Sequence, residues 1–261
     1  MGITESSSPA LSGKGDAFII VKATPNVSTR HGETVCCAAI DTYRNWYRLY
    51  PVSFRHLNEA KRFGRWDRVQ FTWRKPKDDN RPESRRIDQD TLEITGTLPQ
   101  KSRASFLANS CVRSLKAERE AGRTLALLRP EIIDFSYRRR PDDELQEAAK
   151  RLAAARAQQD MFAVKNLLPY EPCPYRFVYQ YRDDDGEHEG TCQDWETEAT
   201  FFHWQRQYGE QKALLEMQRV FGEEYPKRGM VLAMGTHSRW PDRWLVNGVV
   251  RLDETAQTSF L

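Results

Sequence analysis

The residues in this sequence with the most chemistry to offer are arginines set among aromatic rings between positions 44 and 86. WYRLYPVSFR (46–55) is followed by FGRWDRVQFTWR (63–74) and then by RPESRR (81–86). A guanidinium is always charged and presents a planar fork that matches phosphate oxygens. An aromatic face is a platform for an unpaired base, worth about 1–3 kcal/mol per stacked base. On this chemistry Arg48, Arg55, Arg65, Arg81, Arg85 and Arg86 are the expected phosphate contacts, and Tyr50, Trp66 and Trp73 the expected stacking platforms. Segment 44–86 holds thirteen basic and five acidic residues; with a net charge of +3 for the whole chain, the remainder is acidic. Such asymmetry is the sequence signature of a polyanion-binding surface. The competing reading puts the aromatics in a small core and leaves the arginines solvated.

RPES carries two readings of equal weight. Pro82 stiffens the loop, so Glu83 and Ser84 could be held out to a base edge or an exocyclic amine. Alternatively Glu83 pairs with an arginine inside the molecule and pins the loop.

A second cluster lies in HEGTCQDWE (188–196). Asp194 and Glu196, with His237 of MGTHSRW (234–240), are candidates for a metal-dependent nuclease in which the carboxylates hold Mg²⁺. No E-x-K or D-x-K element follows on the next strand, and Asp194 also fits a helix N-cap that satisfies free backbone N–H groups. His237, Thr236 and Arg239 together could hold a phosphate, against the plainer reading of a hydrogen-bonded structural histidine. The sequence contains no glycine-rich phosphate loop, G-x-S-x-G or H-E-x-x-H. No catalytic residue is assigned from sequence, and no metal site or cofactor is expected unless the Mg²⁺ nuclease reading holds.

The five cysteines (Cys36, Cys37, Cys111, Cys173 and Cys192) are odd in number and include an adjacent pair. That is a poor disulfide framework and fits a reducing, cytoplasmic setting. Cys173 and Cys192 with His188 match no standard zinc spacing. No apolar run is long enough to span a bilayer. The opening MGITESSSPALSGKGD reads as a flexible leader, with Met1-Gly2 and Ser6 only loosely fitting a myristoylation pattern.

These side chains need a scaffold to position them. Short apolar or alternating runs at 17–23, 34–40, 46–52, 67–74 and 91–95 predict five strands curling into a small barrel. In 67–74 the alternation puts Val69, Phe71 and Trp73 on one face. Residues 102–122 have loose helical spacing ending at Gly122, 124–137 is extended with a break at Pro130, and Pro141 with its following acids opens an exposed, Ala-rich helix. Then YRFVYQYR (175–182) alternates strictly, two amphipathic helices follow, and strands at 229–236 and 243–252 close the chain.

At RLYPVSFR, RPES, DWE and the late GTH with WLVNGVV, the chain resembles a widespread set of bacterial and archaeal proteins without an assigned activity. The resemblance runs over roughly residues 17–252 and implies a shared fold rather than a function. The opening barrel also resembles PUA- or ASCH-type nucleic-acid modules in pattern. The resulting expectation is an α+β protein with a small N-terminal β-barrel-like sheet, a helical middle and a C-terminal β-α-α-β-β layer. Its expected divisions are a leader (1–16), a basic β-rich domain (17–98), a connecting region (99–168) and a C-terminal domain (169–261). The expected function is nucleic-acid binding, in genome maintenance or foreign-DNA defence. The alternatives are the nuclease, and a protein-interaction subunit docking through helix 141–160; no membrane partner is expected.

Overall fold

The computed structural model describes residues 10–28, 32–160, 171–238 and 240–253. Positions 1–9 of the expected leader, with its Met-Gly opening and Ser6, lie outside the described residues, as do 161–168 and Arg239.

The first half is built on β1 (Ser12–Lys22), β2 (Asn26–Ser28), β3 (Gly32–Ile40), β4 (Trp46–Val52), β5 (Asp67–Arg74) and β6 (Ser84–Thr97). Strand β1 pairs with β5 along its first part and with β3 along its second, while β5 pairs with β6, β6 runs parallel to β4, and β4 pairs with β3. The sheet therefore closes on itself as β1-β3-β4-β6-β5. This closed five-stranded barrel with one parallel pair has the strand order of the OB fold. Alternation explains the strands: in β5, Val69 and Phe71 point into the core while Arg68 and Gln70 face outward. Gly15 lets β1 cross the Phe71 ring, since a Cβ there would lie 2.4 Å from two ring carbons.

The expected helix over 102–122 is instead two short ones, α1 (Gln100–Ala108) and α2 (Leu115–Glu120), separated by β7 (Cys111–Val112). β7 is pulled extended by parallel pairing with β8 (Leu125–Leu128), and Ser114 caps α2 by accepting the Ala117 N–H. After Pro130 comes β9 (Glu131–Arg139), then α3 (Asp142–Asp160), β10 (Tyr175–Asp183) and β11 (Gly186–Thr191). The helical block α4 (Trp195–Tyr208), α5 (Glu210–Met217), a π-helical stretch at 218–224 and α6 (Tyr225–Lys227) leads into β12 (Met230–His237) and β13 (Trp240–Arg251).

These later strands close in the same order as the first set. β8 and β9 act as one long strand bent at Pro130: β8 pairs with β12 and β9 with β10. β10 pairs with β11, and β12 with β13. The end of β11 meets β13 in parallel at Cys192–Val246, where Gln193 N–H donates to Val246 O at 2.7 Å. Residues 125–139, placed by sequence within a connecting region, thus complete the C-terminal barrel. Strict alternation in β10 buries Tyr175, Phe177, Tyr179 and Tyr181 together, and Phe135, Phe201 and Phe221 pack around them.

A third core lies between the barrels. Ile20, Ile40 and Trp66 of the first meet Leu125, Leu127, Val231 and Val250 of the second. Gly248 permits that approach, because a Cβ there would lie 2.7 Å from Val21. Helix α3, expected to be exposed, lies along β2 and β3 and buries Leu152. All five cysteines are free thiols. Among the described residues no helix is long and apolar enough to cross a membrane.

Candidate nucleic-acid interface

The motifs singled out in the sequence converge on two seams between the barrels. At the first seam, the 75–83 loop joining β5 to β6 reaches the C-terminal barrel. The Glu83 carboxylate is buried and accepts from Thr124 N–H at 2.8 Å and Thr124 Oγ1 at 2.6 Å. Arg48 is 3% exposed; its Nη2 donates to Thr124 O at 2.8 Å and its backbone N–H to Glu83 O. Arg81 forks onto Asp79 (2.8 and 2.7 Å) and donates to Thr236 O, while Ser84 Oγ donates to Asp79 Oδ2. Burial opposes ionisation of Asp79, but the bonds from Arg81 and Ser84 outweigh it and hold its pKa at about 2. So Glu83 does neither of the things expected of it: it neither faces a base nor pairs with an arginine, but caps the start of β8.

At the second seam all three DWE side chains reach back to the first barrel. Asp194 is 1% exposed and caps α4 through the Glu196 N–H, while its other oxygen accepts from Arg65 Nη2 and Val249 N–H, both at 2.8 Å. Trp195 packs edge-on against Phe54, and Glu196 lies 3.1 Å from Arg65 Nε and 3.8 Å from Lys22 Nζ. Burial works against the Arg65 charge, yet Asp194 and Glu196 more than compensate and raise its pKa. Every acceptor direction of Asp194 that the fold uses is filled by a protein donor. His237 sits elsewhere, against Trp240. Val249, bonded to Asp194, pairs with Leu232, and His237 lies five residues further along that strand; at about 3.3 Å per residue that is roughly 16 Å. The structure does not bring the three nuclease candidates together. Among the described residues no group of three His, Cys, Asp or Glu is placed to hold a metal; His188 bonds Asp183 instead.

The expected phosphate contacts therefore divide. Arg48, Arg65 and Arg81 are committed to the seams, and Arg55 is held bidentate by Glu33 at 2.9 and 3.0 Å. Trp66 is buried in the inter-barrel core with Arg103 over its ring. What remains is the end of β5 with the facing parts of β1 and β6. Trp73, on the core side of β5 with Val69 and Phe71, packs partly buried against the first barrel's core, while Lys14, Arg74 and Arg86 sit on the other side of their strands. The Arg85 guanidinium stacks on Trp73 with its carbon 4.3 Å from the ring centre, and burial lowers its pKa. Beside it a cleft of about 800 Å³ is lined by Lys14, Trp73, Arg74, Arg86, Asp88 and Asp90, with Asp88 two positions from Arg86 on β6. Lys14, Arg74 and Arg86 form no ion pair within the described residues. Lys14 and Arg74 were the residues missed by sequence reasoning. Alternation alone did not reveal them, since it puts Arg74 on the opposite side of β5 from Trp73; the cleft gathers both at the strand end, where β1 pairs Gly13 with Trp73 and Ser12 with Arg74.

Arg86 also lines a second, smaller cavity of about 110 Å³ at the first seam, together with Arg48, Tyr50, Arg81 and Arg85. Arg86 thus lines both cavities.

Comparison with known proteins gives the following. The family model described as domain of unknown function DUF8758 matches residues 14–110, and that of DUF8757 matches residues 108–261. No curated protein matches. Similar solved structures include the p204 HINb domain, at 10% identity and TM-score 0.34, covering 92% of this chain and 93% of that one. They also include the tetrameric p202 HIN2, at 8% and 0.30 (90% and 86% covered), and a replication protein A heterotrimer bound to ssDNA, at 7% and 0.25 (96% of each).

Proposed function

We propose that this chain, which belongs to the DUF8757 family of unknown function, is a single-stranded nucleic-acid-binding protein whose first barrel carries the strand. The observation that supports this is the Trp73 platform, braced by Arg85 and flanked by Lys14, Arg74 and Arg86, three cations that no described carboxylate neutralises. Rings for bases beside free cations for phosphates are what sequence-tolerant strand binding requires. Asp88 and Asp90 can accept from exocyclic amines, which favours bases that carry one over thymine or uracil. A flat duplex offers no unstacked base to Trp73, so single strands are preferred. The fusion of the two barrels through a shared core makes this a rigid platform. Free thiols throughout support a reducing, cytoplasmic setting.

Fluorescence anisotropy with labelled single- and double-stranded oligonucleotides tests this. The single strand binds more tightly, and Trp73→Ala weakens it about tenfold or more. Equal affinity for both forms, unchanged in Trp73→Ala, would remove the platform from the account.

A further inference from the structure

The small cavity at the first seam has a use that open-cleft binding does not require. Its floor is Arg48 and Ser84, both buried; Tyr50 and Arg81 form its walls; and the exposed Asp78 and Ser238 stand at its mouth. Ser238 belongs to the turn between β12 and β13, so both barrels contribute to the rim.

A cavity of about 110 Å³ has room for a phosphoryl group, and its charge restricts the occupant. Arg48, Arg81, Arg85 and Arg86 face Asp78 and Asp79, and Asp79 is already bonded by Arg81 and Ser84. Two of those arginines also keep unused donors: Nε of Arg48 and Nε of Arg85 are buried without a hydrogen-bond partner. Buried N–H groups left unbonded cost about 1–3 kcal/mol, so an arginine pocket with two of them is built for an acceptor. A tetrahedral oxyanion supplies several acceptor oxygens at once.

Extending the strand-binding reading above, we propose that this pocket is an end-recognition subsite that takes the terminal phosphomonoester of a strand lying in the Trp73 cleft. An internal phosphodiester carries one charge and is flanked by sugars on both sides. A terminal phosphate carries nearly two charges and a free face of oxygens. Arg86, common to cleft and pocket, bonds the last phosphates of the strand.

The test compares three oligonucleotides of one sequence, with a 5′-phosphate, a 3′-phosphate or hydroxyls at both ends, against the full chain and Ser238→Asp. Ser238 is exposed, so the new carboxylate repels a phosphate at the mouth without removing a buried contact. One of the two phosphorylated strands binds at least tenfold more tightly than the hydroxyl-ended strand. That gain diminishes as the pH falls through about 6, where the second phosphate proton returns, and Ser238→Asp abolishes it. If all three strands bind equally, end recognition is overturned while the strand-binding reading stands. If inorganic phosphate raises the melting temperature but no oligonucleotide binds, both readings fall and a free-anion site remains.

Discussion

Replacing Asp194 with Asn should destabilise this protein far more than any change at the neighbouring Glu196. The Asp194 carboxylate is fully enclosed and receives three bonds: from the Glu196 N–H, from Arg65 and from the Val249 N–H. The substitution keeps the shape but swaps one oxygen for an NH₂ group. Whichever way the amide turns, a donor faces a donor, either at the helix cap or at the Arg65–Val249 side. It also leaves Arg65, 11% exposed, with only the half-exposed Glu196 for countercharge. Breaking a buried pair by removing one partner costs about 3–5 kcal/mol. For a chain of this size each kcal/mol moves the melting temperature by about 2–4 °C, so the drop should be roughly 6–20 °C by calorimetry or thermal fluorescence. Glu196→Gln removes a partly solvated pair and should cost no more than about 1 kcal/mol. An Asp194→Asn protein melting within a degree or two of wild type would refute the view of Asp194 as a structural hub and reopen it as a ligand for something else.

Three further outcomes follow from the same geometry. Glu83→Gln loses one of the two bonds to Thr124 and should destabilise by about 1–3 kcal/mol, visible as a lower urea midpoint. Asp79, held at about 2 against an ordinary value of 3.8, contributes stability that is fully present above pH 4 and is lost as the pH falls through about 2; acid titration of Asp79→Asn should therefore be flatter over that window, by about 2 kcal/mol at most. Gly15→Ala drives a methyl into the Phe71 ring and should cost about 1–3 kcal/mol by overpacking, with a correspondingly lower melting temperature.

Local structure was largely legible in the sequence. The alternation of β5 and β10 located both faces of those strands, and Pro130 marked the bend between β8 and β9. The first barrel was expected from its five short strands, but the pairings that close it, β1 with both β3 and β5, and those of the second barrel, such as β8 with β12, were not legible, because they join segments far apart in the chain. The same distance hid the fate of the charges. An excess of positive charge in 44–86 was a sound count, but the acids that neutralise Arg55, Arg65 and Arg68 are Glu33, Asp194 and Asp16, all outside the segment. RPES and DWE attracted attention as chemistry and turned out to bond the barrels together. A buried ion pair and a ligand-binding one use the same residue types, and only burial and partners distinguish them. The helix break at β7 was likewise invisible locally, since it is imposed by β8.

The central claim, that free cations around Trp73 bind a phosphate chain, is tested most directly by the salt dependence of affinity for a single-stranded oligonucleotide. If Lys14, Arg74 and Arg86 each neutralise a phosphate, log affinity should fall against log salt with a slope near about −2, at roughly 0.7 per contact. The double variant Arg74→Ala/Arg86→Ala should flatten that slope to about −0.7. A slope near zero in the wild type, or one unchanged by the double variant, would contradict the account.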